Sequence, residues 1–293
     1  MQTLDRKDPS QIMKTLGYYN GKIDELDRIS VPMLDRAGYF GDGVYDVTFS
    51  RNYRVYMLEE HVERIFQSAN LLKIYPTIKH EELCELINTL VQKLDCGDLW
   101  VYFQFSRGTD FRNHAFPQNT EPNLWIMLRP AQIKDTYKTL RCISRPDTRA
   151  LHCNIKSLNL LPSVLATQEC VEAGVDECIL HRDGIVTECA HSNVSILKNG
   201  ELLTHPADRK ILAGTGRAHL IKCCQSFGIP VKECEYTLSD LMDADEVLLT
   251  SASALCMRIV EVDGIAVGSR ATDTVKKLQD ALLQDFLTQT ERV

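Results

Sequence analysis

The sequence predicts a two-domain α+β protein, with a boundary near 130–136 that divides it into residues 1–132 and 133–293. Three observations lead there. First, 293 residues with 44% hydrophobic and 25% charged side chains form a globular chain with material for a large core, and about 150 residues per domain implies two. Second, the opening third alternates strand pairs with amphipathic helices. Third, the second half joins its strands both by hairpins and by helices, which points to a mixed or barrel-like sheet rather than a doubly wound parallel one. Two domains leave room for a cleft.

Taken in order, Tyr18-Tyr19-Asn20-Gly21-Lys22-Ile23 sets an Asn-Gly turn between short strand-like runs, a strong local hairpin signal. A second strand pair is expected over 44–49 and 53–58. Helices follow. One carries Val62, Ile65, Phe66 and Ala69, the other Leu83, Leu86, Ile87, Leu90, Val91 and Leu94, each spaced to bury one face. Residues 99–106 and 124–128 read as buried strands, separated by the polar segment 108–123. Beyond the break at Arg129-Pro130-Ala131-Gln132, strands are expected near 138–144, 176–181, 185–189, 193–197 and 246–250, and helices near 162–173, 215–227 and 272–288. Arg182-Asp183-Gly184, Asn199-Gly200 and Asp263-Gly264 supply turns between antiparallel neighbours.

Charge narrows the partners. Lys plus Arg number 33 against 40 Asp plus Glu, a net charge of -7, which argues against a nucleic-acid backbone or an anionic membrane. A bound anion must therefore be held by a local site. The 11 cysteines are odd in number and lack C-x-x-C or clustered zinc spacing, so reduced, mostly buried thiols are expected and no metal site. With no apolar segment behind the charged N-terminus and no run approaching 18 apolar residues, neither a signal peptide nor a membrane span is expected. The compartment inferred is the cytoplasm.

No P-loop, G-x-G-x-x-G after a strand, H-E-x-x-H or G-x-S-x-G occurs. The informative segments are Cys153-Asn154-Ile155-Lys156-Ser157-Leu158-Asn159 and Ile185-Val186-Thr187-Glu188-Cys189-Ala190-His191-Ser192-Asn193-Val194. The first sets one lysine among apolar and small polar residues, where a desolvated amine makes a usable nucleophile. The second carries a carboxylate along a strand into a polar turn.

The ordered series N-I-K-S-L-N-L-L, H-R-D-G-I-V-T-E with S-N-V, and T-H-P-A with I-L-A-G-T-G-R, preceded by G-D-G-V-Y-D and E-E-H-V-E-R-I, resembles the fold-type IV pyridoxal-phosphate enzymes. These are the branched-chain aminotransferases, the D-amino-acid aminotransferases and aminodeoxychorismate lyase. The similarity runs from about Tyr18 to Gly268. It implies a small N-terminal α/β domain and a larger C-terminal barrel-like domain enclosing pyridoxal 5'-phosphate, in a homodimer. It further implies Lys156 as the covalent anchor of the cofactor and the proton shuttle, and Glu188 as the partner of the pyridine nitrogen. Arg64, Thr215, Gly216, Ser251 and Ala252 would surround the cofactor phosphate, with Arg149 close by. Where the closest pattern has hydroxyl residues, this sequence has Gly216 and Ala252, which shifts the holding toward backbone amides at a helix start.

Tyr45, Arg112 and His114 match the set that traps the substrate α-carboxylate in D-amino-acid aminotransferases, the last two being lent by the neighbouring subunit. A guanidinium offers two parallel donors to a carboxylate, to which imidazole and phenol add single donors. The resemblance thus implies transamination between a D-amino acid such as D-alanine and a 2-oxo acid such as 2-oxoglutarate, ping-pong through pyridoxamine phosphate. An L-branched-chain aminotransferase, which lacks the R-x-H pair, and aminodeoxychorismate lyase are the alternatives. His191 stands where the family has a small residue, free to hydrogen-bond near the ring, to narrow the pocket or to pack.

Overall fold

The computed structural model describes residues 13–292. The chain opens with the hairpin β1 (Leu16–Tyr19) and β2 (Lys22–Asp24), a short helix α1 (Arg36–Phe40) and the long strand β3 (Gly43–Arg51). The short β4 (Arg54–Val55) leads into α2 (Leu58–Leu71) and α3 (His80–Val91), which precede β5 (Leu99–Ser106) and β6 (Asn123–Pro130). These six strands form one antiparallel sheet in the order β2-β1-β6-β5-β3-β4. The apolar faces of α2 and α3 cover it: Val62, Ile65, Leu83, Ile87 and Leu90 pack with Val101, Phe103, Ile126 and Leu128 in a core sealed from water.

The expected strand at 53–58 shrinks to the two residues of β4, which pair with Ser50 and Arg51 at the end of β3, while β3 pairs with β5 along eight residues. Asn52, Tyr53 and Met57 adopt positive φ, so the backbone turns twice within six residues. Tyr56 leaves the first sheet for a core built by the second half of the chain. The apolar run at 53–58 marks a junction between two cores, which local pattern reads as a strand.

The second half contains β7 (Leu140–Pro146), α4 (Leu161–Ala173), β8 (Glu177–Arg182), β9 (Ile185–Cys189), β10 (Asn193–Lys198) and β11 (Glu201–Thr204). After these come α5 (Thr215–Ser226), β12 (Val231–Glu233), α6 (Leu238–Met242), β13 (Glu246–Ser251), β14 (Leu255–Val262), β15 (Ile265–Ala266) and α7 (Thr272–Gln289). The sheet runs β12-β11-β10-β13-β14-β7-β8-β9, with β15 beside β14. It is mixed, since β11 with β12, β14 with β7 and β7 with β8 are parallel. Of its nine strands, β11, β12, β14 and β15 escaped the sequence reading.

Connectivity forces this sheet to curl. Five inter-strand steps separate β9 from β10, roughly 24 Å if flat, yet the linker 190–192 spans at most about 15 Å between Cys189 and Asn193. The edge strand β9 must therefore swing back toward β10, and a half-barrel results. Its concave side is filled by Ile179, Val186, Val194, Ile196, Val247 and Ile259. α5 and α7 cover Leu197, Leu248 and Cys256 on the outside.

All four Asn-Gly and Asp-Gly turns are formed with positive φ at both positions: Asn20 and Gly21, Asp183 and Gly184, Asn199 and Gly200, Asp263 and Gly264. Each joins consecutive antiparallel strands, as type I' geometry requires. The eleven cysteines are free and eight are buried. No helix among the described residues is long and apolar enough to cross a membrane.

Candidate active site

Lys156 lies in the turn between β7 and α4 and is half-buried. Its position is set from β3: the Tyr45 N–H donates to the Lys156 carbonyl at 2.9 Å and the Leu158 N–H to the Gly43 carbonyl at 3.0 Å, with Val44 and Ser157 forming a bridge. Gly43 is required for this approach, because a Cβ there would lie 2.5 Å from the Phe105 carbonyl oxygen and 2.8 Å from Leu158 Cδ1. The Lys156 N–H donates to Ser68 Oγ on α2 at 3.2 Å. The ammonium lies 4.4 Å from the centroid of the Tyr45 ring, a cation–π contact, and Tyr45 itself stacks on Tyr102.

Glu188 is carried on β9 to the seam where the half-barrel closes. The Arg149 guanidinium donates to its Oε1, while Asn193 Nδ2 and the Leu212 N–H donate to Oε2 at 2.7 and 3.1 Å. Asn193 is the first residue of β10, so the seam brings carboxylate and amide together. Burial pushes the Glu188 carboxyl up to about 7, against the pull of Arg149 and, more weakly, of Lys156. Arg149 is itself fixed by Asp147, whose oxygens accept from Nε and Nη2 at 2.9 Å.

Arg64, on α2, points toward the start of α5. Its Nε and Nη2 donate to the two oxygens of Asp46 at 2.8 and 2.7 Å, and its Nη1 reaches the Ala213 carbonyl at 3.5 Å. Asp46 is wholly buried on β3 and also pairs with His61 Nδ1 at 2.7 Å. Burial alone would raise the Asp46 carboxyl, but Arg64 and His61 outweigh it and hold the group well below the usual carboxylate range. The other ring nitrogen, His61 Nε2, lies 3.4 Å from Thr215 Oγ1. Asp46 and His61 complete this cluster although the sequence reading assigned them no role. Strand alternation was the available signal, since it turns Asp46 to the face opposite Tyr45, toward α2.

Thr215 and Gly216 open α5, whose N-cap, Gly214, has no capping side chain. The first-turn N–H groups there have no intrahelical acceptor and form the positive end of the helix dipole. Ser251 is adjacent: a Cβ on Gly216 would sit 3.3 Å from the Ser251 backbone N and O. Ala252 follows, lining a small cavity with His61, Thr215, Gly216 and Ser251. A larger cavity of about 390 Å³ opens between α2 and this loop, lined by Arg64, Ser68, Asn154, Ala213 and Thr215 among others. The Asn154 Oδ1 at its edge is buried without a partner.

The structure therefore gathers Lys156, Tyr45, Glu188, Arg149, Arg64, Thr215, Gly216, Ser251 and Ala252 where the two sheets meet. Arg112 and His114 are placed apart, on an exposed loop, where both pack against Phe40 at about 5.0 Å. Neither contacts Tyr45 or Lys156 of its own chain. His191 is half-exposed, and its Nδ1 lies 3.0 Å from buried Glu177.

Comparison with known proteins shows the family of the chain. The model of the family amino-transferase class IV matches residues 43–262. The chain is 38% identical over 253 residues to the D-alanine aminotransferase of Listeria monocytogenes, covering 85% of this chain and 88% of that one. It is 35% identical over 283 residues to the D-alanine aminotransferase of Bacillus licheniformis, covering 96% and 99%. Among solved structures, the branched-chain amino acid aminotransferase from Escherichia coli superposes with a TM-score of 0.84 at 24% identity, covering 95% of this chain and 96% of that one. That likeness shows the shared fold.

Proposed function

The chain belongs to the amino-transferase class IV family, and on that premise we propose that it transfers an amino group between a D-amino acid such as D-alanine and a 2-oxo acid such as 2-oxoglutarate, using pyridoxal 5'-phosphate. The observation that carries the reading is the buried Glu188 carboxyl, held by Arg149, Asn193 and Leu212 and within electrostatic reach of the Lys156 amine. Such a pair of an acid and an amine beside a dipole-backed anion cradle suits a cofactor with a basic ring, an aldehyde and a phosphate.

When bound, pyridoxal phosphate supplies the carbonyl that accepts the amino group and the ring that withdraws electrons from the substrate α-carbon. The residues provide the rest. Lys156 anchors the cofactor and moves the proton at the substrate α-carbon. Glu188 holds a proton at the ring nitrogen, with Arg149 and Asn193 orienting its oxygens. Arg64, the N–H groups of Thr215 and Gly216, and the Ser251–Ala252 turn hold the phosphate, and Asp46 keeps the guanidinium aimed by two parallel hydrogen bonds. Tyr45, with Arg112 and His114 of a second subunit, traps the substrate carboxylate.

The reading takes two domains, 1–132 and 133–293, on either side of the site, supported by one sheet from β1–β6 and another from β7–β15. The working unit is a homodimer. Exposed Leu161, Val164 and Leu165 make an apolar stripe on α4, and Phe111 and Phe116 flank Arg112 and His114 with 77% and 54% exposure, apolar surface suited to covering by a second subunit. Asn159 Nδ2 donates to the Gly41 carbonyl at 3.2 Å, which ties the segment before α4 to the end of α1, where Phe40 carries the two side chains. We also infer a cytoplasmic location, a reading supported by the unpaired thiols packed in the cores.

The test compares D-alanine with L-leucine as amino donor to 2-oxoglutarate in the cofactor-loaded enzyme. Turnover with D-alanine is expected; turnover with L-leucine alone overturns the assignment.

A further inference from the structure

On the outer side of the helix pair, away from the cluster described above, three side chains of metal-binding type converge. His80 and Cys84 are one helical turn apart on α3 and so share a face, and Glu59 reaches them from the first turn of α2. A donor atom from each lies within 4.8 Å of the other two, and His80 Nδ1 is already 3.5 Å from Glu59 Oε2. The three differ in depth. Cys84 is buried, His80 is partly covered and packs its ring against Phe66 at 6.1 Å, and the Glu59 side chain is 74% exposed.

Bond lengths of about 2.0–2.3 Å in a tetrahedral site space the donors roughly 3.3–3.7 Å apart. The imidazole–carboxylate distance meets this requirement, and the remaining donor separations, all within 4.8 Å, close by side-chain rotation of the partly covered His80 and the exposed Glu59. A thiol, an imidazole and a carboxylate together favour zinc-class dications over magnesium or calcium, which take oxygen ligands. His80 stands at the start of α3, where the helix dipole repels a cation; Glu59, Glu81 and Glu82 around it supply the opposing charge.

We propose that Glu59, His80 and Cys84 bind one zinc-class dication between α2 and α3, with water in the fourth position. As the sulfur–metal bond forms, the thiol releases its proton to solvent and no electron is transferred. Because α2 also carries His61 and Arg64, the bound ion braces the helix behind the phosphate cradle from its far side.

Titration of the full-length, cofactor-loaded protein with Co²⁺ tests this through the visible bands of four-coordinate cobalt, which lie to the red of the cofactor. One equivalent is expected to bind, to be displaced by Zn²⁺, and to bind about a hundredfold more weakly in Cys84→Ala and in the surface variant His80→Gln. Zn²⁺ should raise the melting temperature of the wild type and leave both variants unmoved. Absence of the cobalt bands in the wild type, or their persistence in Cys84→Ala, overturns the proposal, and neither result bears on the transamination reading.

Discussion

Glu188 and Asp46 are both carboxyl groups removed from water, and their neighbours drive them in opposite directions. At Glu188 desolvation prevails over Arg149, and the group titrates near 7, above its ordinary 4.5. The folded protein therefore holds a proton there that the unfolded chain has already lost between those values. The stability this group contributes is complete below about pH 4.5 and disappears as pH rises through 7. In cofactor-free protein, the unfolding free energy of the wild type relative to Glu188→Gln is expected to fall by roughly 3 kcal/mol between pH 4.5 and 7.5. Chemical denaturation across that range measures it, and a constant difference would contradict the assigned environment. Asp46 has the reverse sign: Arg64 and His61 hold it ionised against burial, so its contribution is present above the ordinary carboxylate value and lost in acid.

The start of α5 and the seam between β9 and β10 act together. Gly214 leaves room for Asn193: a Cβ at this position would stand 2.0 Å from Asn193 Oδ1. That oxygen is the end of a side chain able to rotate, so Gly214→Ala is expected to fold while breaking the bond from Asn193 Nδ2 to Glu188. Loss of one hydrogen bond to a charged group is worth about 1.5–3 kcal/mol, and pyridoxal phosphate affinity should drop by about ten- to a hundredfold. Equilibrium dialysis against the cofactor, with circular dichroism as the folding control, distinguishes this from unfolding; unchanged affinity would show that Asn193 does not position the carboxylate. The helices α2, α3 and α5 were legible in the sequence because a buried face repeats every three to four residues. β14 was not, since Met257, Arg258, Ile259, Val260 and Glu261 follow no turn signal of the Asn-Gly kind and their pairing partners lie in β13 and β7.

At the scale of the whole molecule, the proposed sharing of Arg112 and His114 makes a quantitative prediction. Lys156→Ala and Arg112→Ala homodimers should both be severely impaired with D-alanine. Mixed by co-refolding, they form heterodimers in which one site regains both its own Lys156 and its partner's Arg112. If subunits pair at random, about a quarter of the sites become fully competent, so activity should rise to about a quarter of wild type. If each arginine serves its own chain, every heterodimer site lacks one of the two groups and no recovery appears.

The sequence by itself determined the four hairpin turns, the apolar faces of the long helices and the motifs that mark Lys156, Glu188 and Arg64, because each is written in a few consecutive residues whose backbone preferences or order carry the signal. The tertiary structure alone decided that Tyr56 abandons the first sheet, that β9 returns to β10, and that Asp46 meets both His61 and Arg64. A buried charge pair or a closing seam joins residues distant along the chain. Its stability comes from desolvation and from partners that no local periodicity announces. His61 illustrates the difference: it lies in a helix any pattern would find, yet its place between Asp46 and Thr215 exists only once α2, β3 and α5 have packed.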